Sequence, residues 1–152
     1  MAFTALEARQ QLLDDLAEAI DDIGFALAAL EAAYEQLDEH SGDRLEEGLF
    51  RPVQVAYGRA KRAHDGFATR HGLPAGTFEA QAAGLPSTRA KGFIDGAVEA
   101  AAEADRALAA LQDLPMLVEV GDVELRSGLA EVRELLGGVG QRARELVRTL
   151  GR

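Results

Sequence analysis

An almost unbroken heptad stripe constrains this chain more than any other feature. It runs Leu13, Leu16, Ile20, Ile23, Leu27, Leu30, Tyr34 and Leu37, with every step three or four residues. A second stripe runs Leu125, Leu129, Val132, Leu136, Val139, Ala143, Leu146 and Leu150. At about 3.6 residues per turn, such spacing lines one narrow side of a helix with apolar groups. That side leaves water only when other helices cover it. Apolar residues make up 47% of the chain but aromatic residues only 5%. The core must therefore be aliphatic and alanine-rich, which favours helix over sheet. A length of 152 residues suits a single domain, residues 1–152, with its own core.

Local signals divide the chain into four expected helices. The first opens at Thr4, where Thr4 and Glu7 have capping-box spacing, and runs to about His40 with Gly42 as its stop. About 36 residues make a rod of roughly 54 Å. The second opens at Asp43 and carries the seam Leu49, Val53, Ala56, Ala60, Ala63, Phe67. Pro52 lies inside it, so the helix either kinks there or starts at Pro52 after a short turn over 44–50. Gly72 and Pro74 end it. Residues 72–86 hold two Gly-Leu-Pro triplets and form the longest irregular stretch. The third helix follows Ser87 and runs to about Asp113, with the small-residue seam Ala90, Ile94, Ala97, Ala101, Ala104, Leu108, Leu111. Met116 to Gly121 reads as an extended connector. The fourth helix runs from Asp122 to Leu150, bent at Gly137, Gly138 and Gly140.

Charge suggests how these rods are ordered. Residues 5–40 carry ten acids and one base, 44–71 three acids and six bases, 88–113 five and three, and 123–150 four and five. The net signs alternate. In an antiparallel up-down-up-down four-helix bundle, unlike rods would be neighbours and like rods diagonal. The first helix should then overhang its partners at its start. That end would also carry the 72–86 loop and the C-terminus. Phe3 and Leu6 would be covered there by Leu73, Phe78 and Leu85, or by a second subunit.

The chemistry-bearing residues are sparse. Without cysteine there is no disulfide, thiolate metal site or cysteine nucleophile. His40 and His71 each sit just before a glycine expected to end a helix, where a donor complements exposed carbonyls. His64 shares a helix face with Tyr57, Phe67 and His71. It should lie roughly 30 Å from His40, and no Glu-x-x-His pair occurs, so neither a metal site nor a cofactor is expected. Asp14, Asp15, Glu18, Asp21 and Asp22 fall on the outer positions of the first stripe, as a solvated face should. Serines at 41, 87 and 127 suggest no Ser/His/Asp arrangement. Gly137-Gly138-Val139-Gly140 lacks the preceding strand and the Lys-Ser/Thr ending of a phosphate loop.

Arg59-Ala-Lys-Arg-Ala-His64 stands apart. An arginine and a histidine separated by four residues, within an all-helical bundle, resembles the short signature of HEPN ribonucleases. The resemblance implies a site shared across a dimer, with Arg59 stabilising the phosphate and His64 transferring a proton. On a regular helix the two lie about 140° apart, so a second subunit or a local distortion would have to complete the site.

A net charge of −10 disfavours DNA and anionic lipid as partners. The N-terminus lacks a secretory pattern, and no run approaches the roughly 20 apolar residues of a membrane span. The expected protein is a cytoplasmic, non-catalytic structural or protein-interaction bundle that pairs with a protein partner or itself through Phe3, Leu6, Leu73, Phe78 and Leu85. The alternatives are the HEPN-like ribonuclease and a bundle that binds an apolar ligand or lipid surface.

Overall fold

Thr4 starts the first helix as its spacing demands. In the computed structural model, which describes residues 4–150, its hydroxyl accepts the Glu7 N–H and the Glu7 carboxylate accepts the Thr4 N–H, each at 3.1 Å. The helix, α1, spans Ala5–Glu35. Its expected extension to His40 is not found. The Asp38 carboxylate accepts the Ser41 N–H at 2.7 Å and starts a new helix, α2 (Glu39–Leu45). An aspartate that satisfies an orphan amide outcompetes continuation of the first rod. Gly42 ends nothing. It is buried within α2, where an added Cβ would lie 3.1 Å from the Tyr34 ring.

Pro52 stands in the first turn of the helix that carries the second seam, within a residue of the start expected there. The chain stays helical from α2 through a wide turn, Glu46–Phe50, into α3 (Arg51–Arg70). In that turn the Arg51 N–H bonds the Glu46 carbonyl five residues back, a π-helical step. The extra residue per turn lets a proline pass where an α-helical ring would meet the carbonyl four residues earlier. At its other end α3 closes with a Schellman motif. The Leu73 N–H bonds Ala68 O at 2.8 Å and the Gly72 N–H bonds Thr69 O at 3.4 Å. Gly72 takes φ +69° there, which a glycine adopts without steric cost.

Residues 71–89 contain no helix, and α4 follows over Ala90–Asp113. Met116 to Gly121, expected to be extended, is mostly helical. Pro115 supplies a favourable first helical residue, and α5 spans Pro115–Val120 with Leu117 buried and Val118 exposed. Asp122 caps α6 (Val123–Leu136) by accepting the Leu125 N–H at 2.8 Å. A two-residue turn at Gly137-Gly138 leads to α7 (Val139–Leu150). The apolar register continues across it, since Leu136, Val139, Ala143 and Leu146 are all buried.

The described residues are thus all-helical, with no strand, and no helix is long and apolar enough to cross a membrane. Leu13, Leu16, Ile20, Ile23 and Leu30 of the first stripe are buried, as expected, while Tyr34 is exposed. Ala19, Ala26, Ala29 and Ala33 are buried as well, because α1 is covered by α3 as well as by α4.

Side-chain bonds match the helix ends. Arg9 Nε on α1 donates to Val120 O at 3.0 Å, and Gln36 Nε2 donates to Thr88 O at 2.7 Å, just ahead of α4. Arg70 at the end of α3 meets Asp122 at the start of α6, and Arg142 on α7 donates to Gly48 O. Sequential up-down-up-down order would set the start of α4 beside the end of α3. Instead Thr88, just ahead of α4, lies beside Gln36 at the end of α1. The last described helix, α7, lies against α2 and the π-helical turn, away from the end where α1 begins; the expected position of the C-terminus itself lies outside the described residues.

The charge pattern failed because packing outweighs it. The most extensive helix contact joins the two acidic rods, α1 and α4, and both bury alanines, Ala97, Ala101 and Ala104 on α4 and Ala19, Ala26, Ala29 and Ala33 on α1. Small residues let helix backbones approach closely, whereas exposed charges contribute little. The like-charge cost is visible at Asp22. Partial burial, and then the neighbouring Glu103 carboxylate of α4, raise its pKa from its ordinary value.

Candidate functional site

Arg59 and His64 lie on α3 as the resemblance requires, but the structure turns them to different neighbours. The Arg59 guanidinium reaches across to α6 and pairs with Glu131 at 2.5 Å. His64 faces inward and is only 4% exposed. Its Nδ1 lies 3.0 Å from Asp65 Oδ1, and the Phe78 ring covers it edge-on with centroids 5.1 Å apart. Within one chain the arginine is held in an ion pair and the imidazole is shielded from solvent. A phosphodiester would have to displace both Glu131 and the connector to meet them.

What His64 does instead is hold that connector. Asp65 Oδ1 also accepts the Gly76 N–H at 2.9 Å. Burial raises the Asp65 pKa, but the hydrogen bonds from Gly76 and His64 outweigh it, so the carboxyl sits below its usual value. Gly76 is required by contact: an added Cβ would lie 2.5 Å from the Phe78 ring and 2.8 Å from the His64 ring. Sequence spacing placed His64 on the right face but did not foresee its partners, which come from a coil with no periodicity.

His71 and Asp122 form the other polar centre. Asp122 Oδ2 accepts from Arg70 Nε at 2.8 Å and lies 3.0 Å from His71 Nε2. Its Oδ1 accepts from Arg70 Nη2 at 2.9 Å and from the Leu125 N–H at 2.8 Å. Burial raises the Asp122 pKa, but the bonds from Arg70, Leu125 and His71 prevail and hold it down to about 2. Four contacts from three residues fill the four lone-pair positions of this carboxylate, leaving none for a substrate. The centre ties α3 to α6. His40, expected near a helix end, is exposed in the first turn of α2. Among the described residues no three His, Asp or Glu side chains are grouped to hold a metal ion.

Among the expected interaction residues that are described, Leu73 lies at the end where α1 begins, whereas Leu85 lies at the opposite end. Phe3 lies outside the described residues. Leu6 is 57% exposed in the first turn of α1. Leu73 and Phe78 pack against the core at the start of the connector, while Leu85 is 72% exposed at its far end, next to the Thr88 that binds Gln36. The residues that accompany Leu6 were missed. Val118 on α5 and Val123 at the start of α6 are 72% and 67% exposed. The Arg9–Val120 bond places their short segment beside the first turns of α1. The signal is Pro115, which favours a helix start and outweighs the extended preference of the Val-rich run that follows it.

No protein-family model matches the chain, and it matches no curated protein and no solved structure.

Proposed function

We propose that this chain is a cytoplasmic, non-catalytic protein-interaction module that pairs with a second copy of itself. Its helices form one domain, a four-helix bundle whose rods are α1, α2–α3, α4–α5 and α6–α7. Neighbouring rods run in opposite directions, in the order up, down, down, up. The end pairings Arg9–Val120, Gln36–Thr88 and Arg70–Asp122 support that order. The connector 71–89 is then a crossover between the two parallel rods.

One observation carries the functional reading. Of the large apolar side chains left exposed, Leu6, Val118 and Val123 come from the same end of the bundle. Meanwhile the most conspicuous polar groups, Asp122, His64 and Arg59, are occupied by structural bonds. Exposed apolar groups collected in one place mark docking surfaces. A two-fold pairing would bring each end patch onto itself.

Light scattering coupled to size exclusion tests this over a wide dilution series. Wild type should show a dimer that dissociates on dilution, and the triple variant L6S/V118S/V123S should be monomeric with unchanged helicity. A monomeric wild type, or a variant that dimerises as well as wild type, overturns the pairing.

A further inference from the structure

A second surface lies at the other end, between α4 and α7. There a groove of about 590 Å³ has Val98, Gly140, Ala143 and Val147 as its apolar floor. That volume falls within the range of small-molecule sites, roughly 300–1,000 Å³. Gly140 keeps the groove open. An added Cβ would have only Arg144 Nη1 at 3.6 Å and Val98 Cγ1 at 4.0 Å near it.

The rim sets the chemistry of an occupant. On the α4 side, Asp95 is paired with Lys91 at 2.8 Å, and Glu99 lies 3.8 Å from Arg106. Both carboxylates therefore have a cation. On the α7 side, Arg144 and Arg148 are exposed and one helical turn apart, so they share a face. Neither has a carboxylate within ion-pair distance among the described residues. The uncompensated charge along the rim is thus positive, although the chain as a whole is strongly acidic.

We propose that this groove binds a single-chain amphiphilic carboxylate of medium length. Its acyl chain lies on Val98, Gly140, Ala143 and Val147, and its carboxylate takes forked hydrogen bonds from Arg144 and Arg148. Guanidinium geometry matches a carboxylate in this way better than a lysine would. The α4 wall from Lys91 to Glu99 is about 12 Å long, comparable with an extended ten-carbon chain. The opposite charge would meet Arg144 and Arg148 unfavourably, and an uncharged chain would leave them unused.

Titration of the isotopically labelled full chain with decanoate, below its micelle concentration, tests the assignment by NMR. Saturable shifts should map to α4 and α7, and decyltrimethylammonium and acetate should not produce them. R144Q/R148Q should weaken decanoate binding about tenfold, because exposed arginines can be exchanged without loss of fold. G140L, which fills the groove while favouring helix, should abolish binding without lowering the melting temperature. The proposal is overturned if decanoate gives no saturable shifts, if decyltrimethylammonium binds as well, or if R144Q/R148Q binds as tightly as wild type. None of these outcomes depends on the Leu6 end patch, so the two proposals fail separately.

Discussion

Arg142 Nε donates a 2.6 Å hydrogen bond to the carbonyl of Gly48, far away in sequence and four residues ahead of Pro52. In a regular α-helix that carbonyl would accept the N–H of residue 52, and proline has none. A cation from one rod thus meets a carbonyl in the irregular turn that leads into proline in another. R142A should cost about 1–2 kcal/mol in urea unfolding, in line with a lost bond from a charged donor. In a P52A background the cost should be smaller, because residue 52 regains an N–H. Equal costs in both backgrounds would show that the two sites are not coupled.

Asp122 makes stability depend on acid in a definable window. Its native pKa is lowered from 3.8 to about 2. The associated stability is present above the unfolded value and is lost as pH falls from about 4 towards 2. Allowing for solvent screening, the loss is on the order of 1–2 kcal/mol. D122N should flatten that part of the pH–stability curve and cost about 2 kcal/mol at neutral pH, through loss of the charge-assisted Arg70 and His71 bonds. Chemical denaturation at stepped pH measures both effects.

The reverse sign applies at Asp22. Its native pKa is raised by burial and by Glu103. Ionisation there opposes folding, and the penalty grows as pH rises through the unfolded and then the native value. D22N should therefore stabilise the protein at pH 7, by about 0.5 kcal/mol given the exposure of the site. The gain should vanish at a pH low enough to protonate the carboxyl in both states. Thermal melts of the two proteins across that range decide it, and a destabilised D22N at pH 7 would contradict the α1–α4 adjacency.

The connector should be released by a single methyl group. G76A forces a Cβ against the rings of Phe78 and His64. Those side chains must move and the Asp65–Gly76 bond must lengthen, at a cost of about 1–3 kcal/mol. Limited proteolysis should then cut within residues 72–89 faster than in wild type, while helicity is retained. Unchanged cleavage would mean that the Gly76 contact does not hold the strap.

Much of the local structure was legible in the residues. The two apolar stripes, the Thr4–Glu7 box and the Asp122 cap each depend on neighbours within a turn or two, so spacing alone reveals them. His64 could be placed on a helix face for the same reason. Pro52 is visible as an irregularity, but how the chain accommodates it is not legible locally, because the π-helical turn faces α7 and is met there by Arg142.

By itself, then, the sequence determined that the chain is helical, where several helices begin, and which edge of each is buried, since those follow from backbone geometry and local hydrogen bonding. Only the tertiary structure decided which rods touch. Alanine seams can pair with any close partner, and the choice of α4 for α1 was made by the shape of two surfaces distant in the chain, against the preference of their charges. The same assembly decided that Arg59 and His64 part company, that α5 sits beside the first turns of α1, and that Arg144 and Arg148 have no carboxylate within ion-pair distance among the described residues.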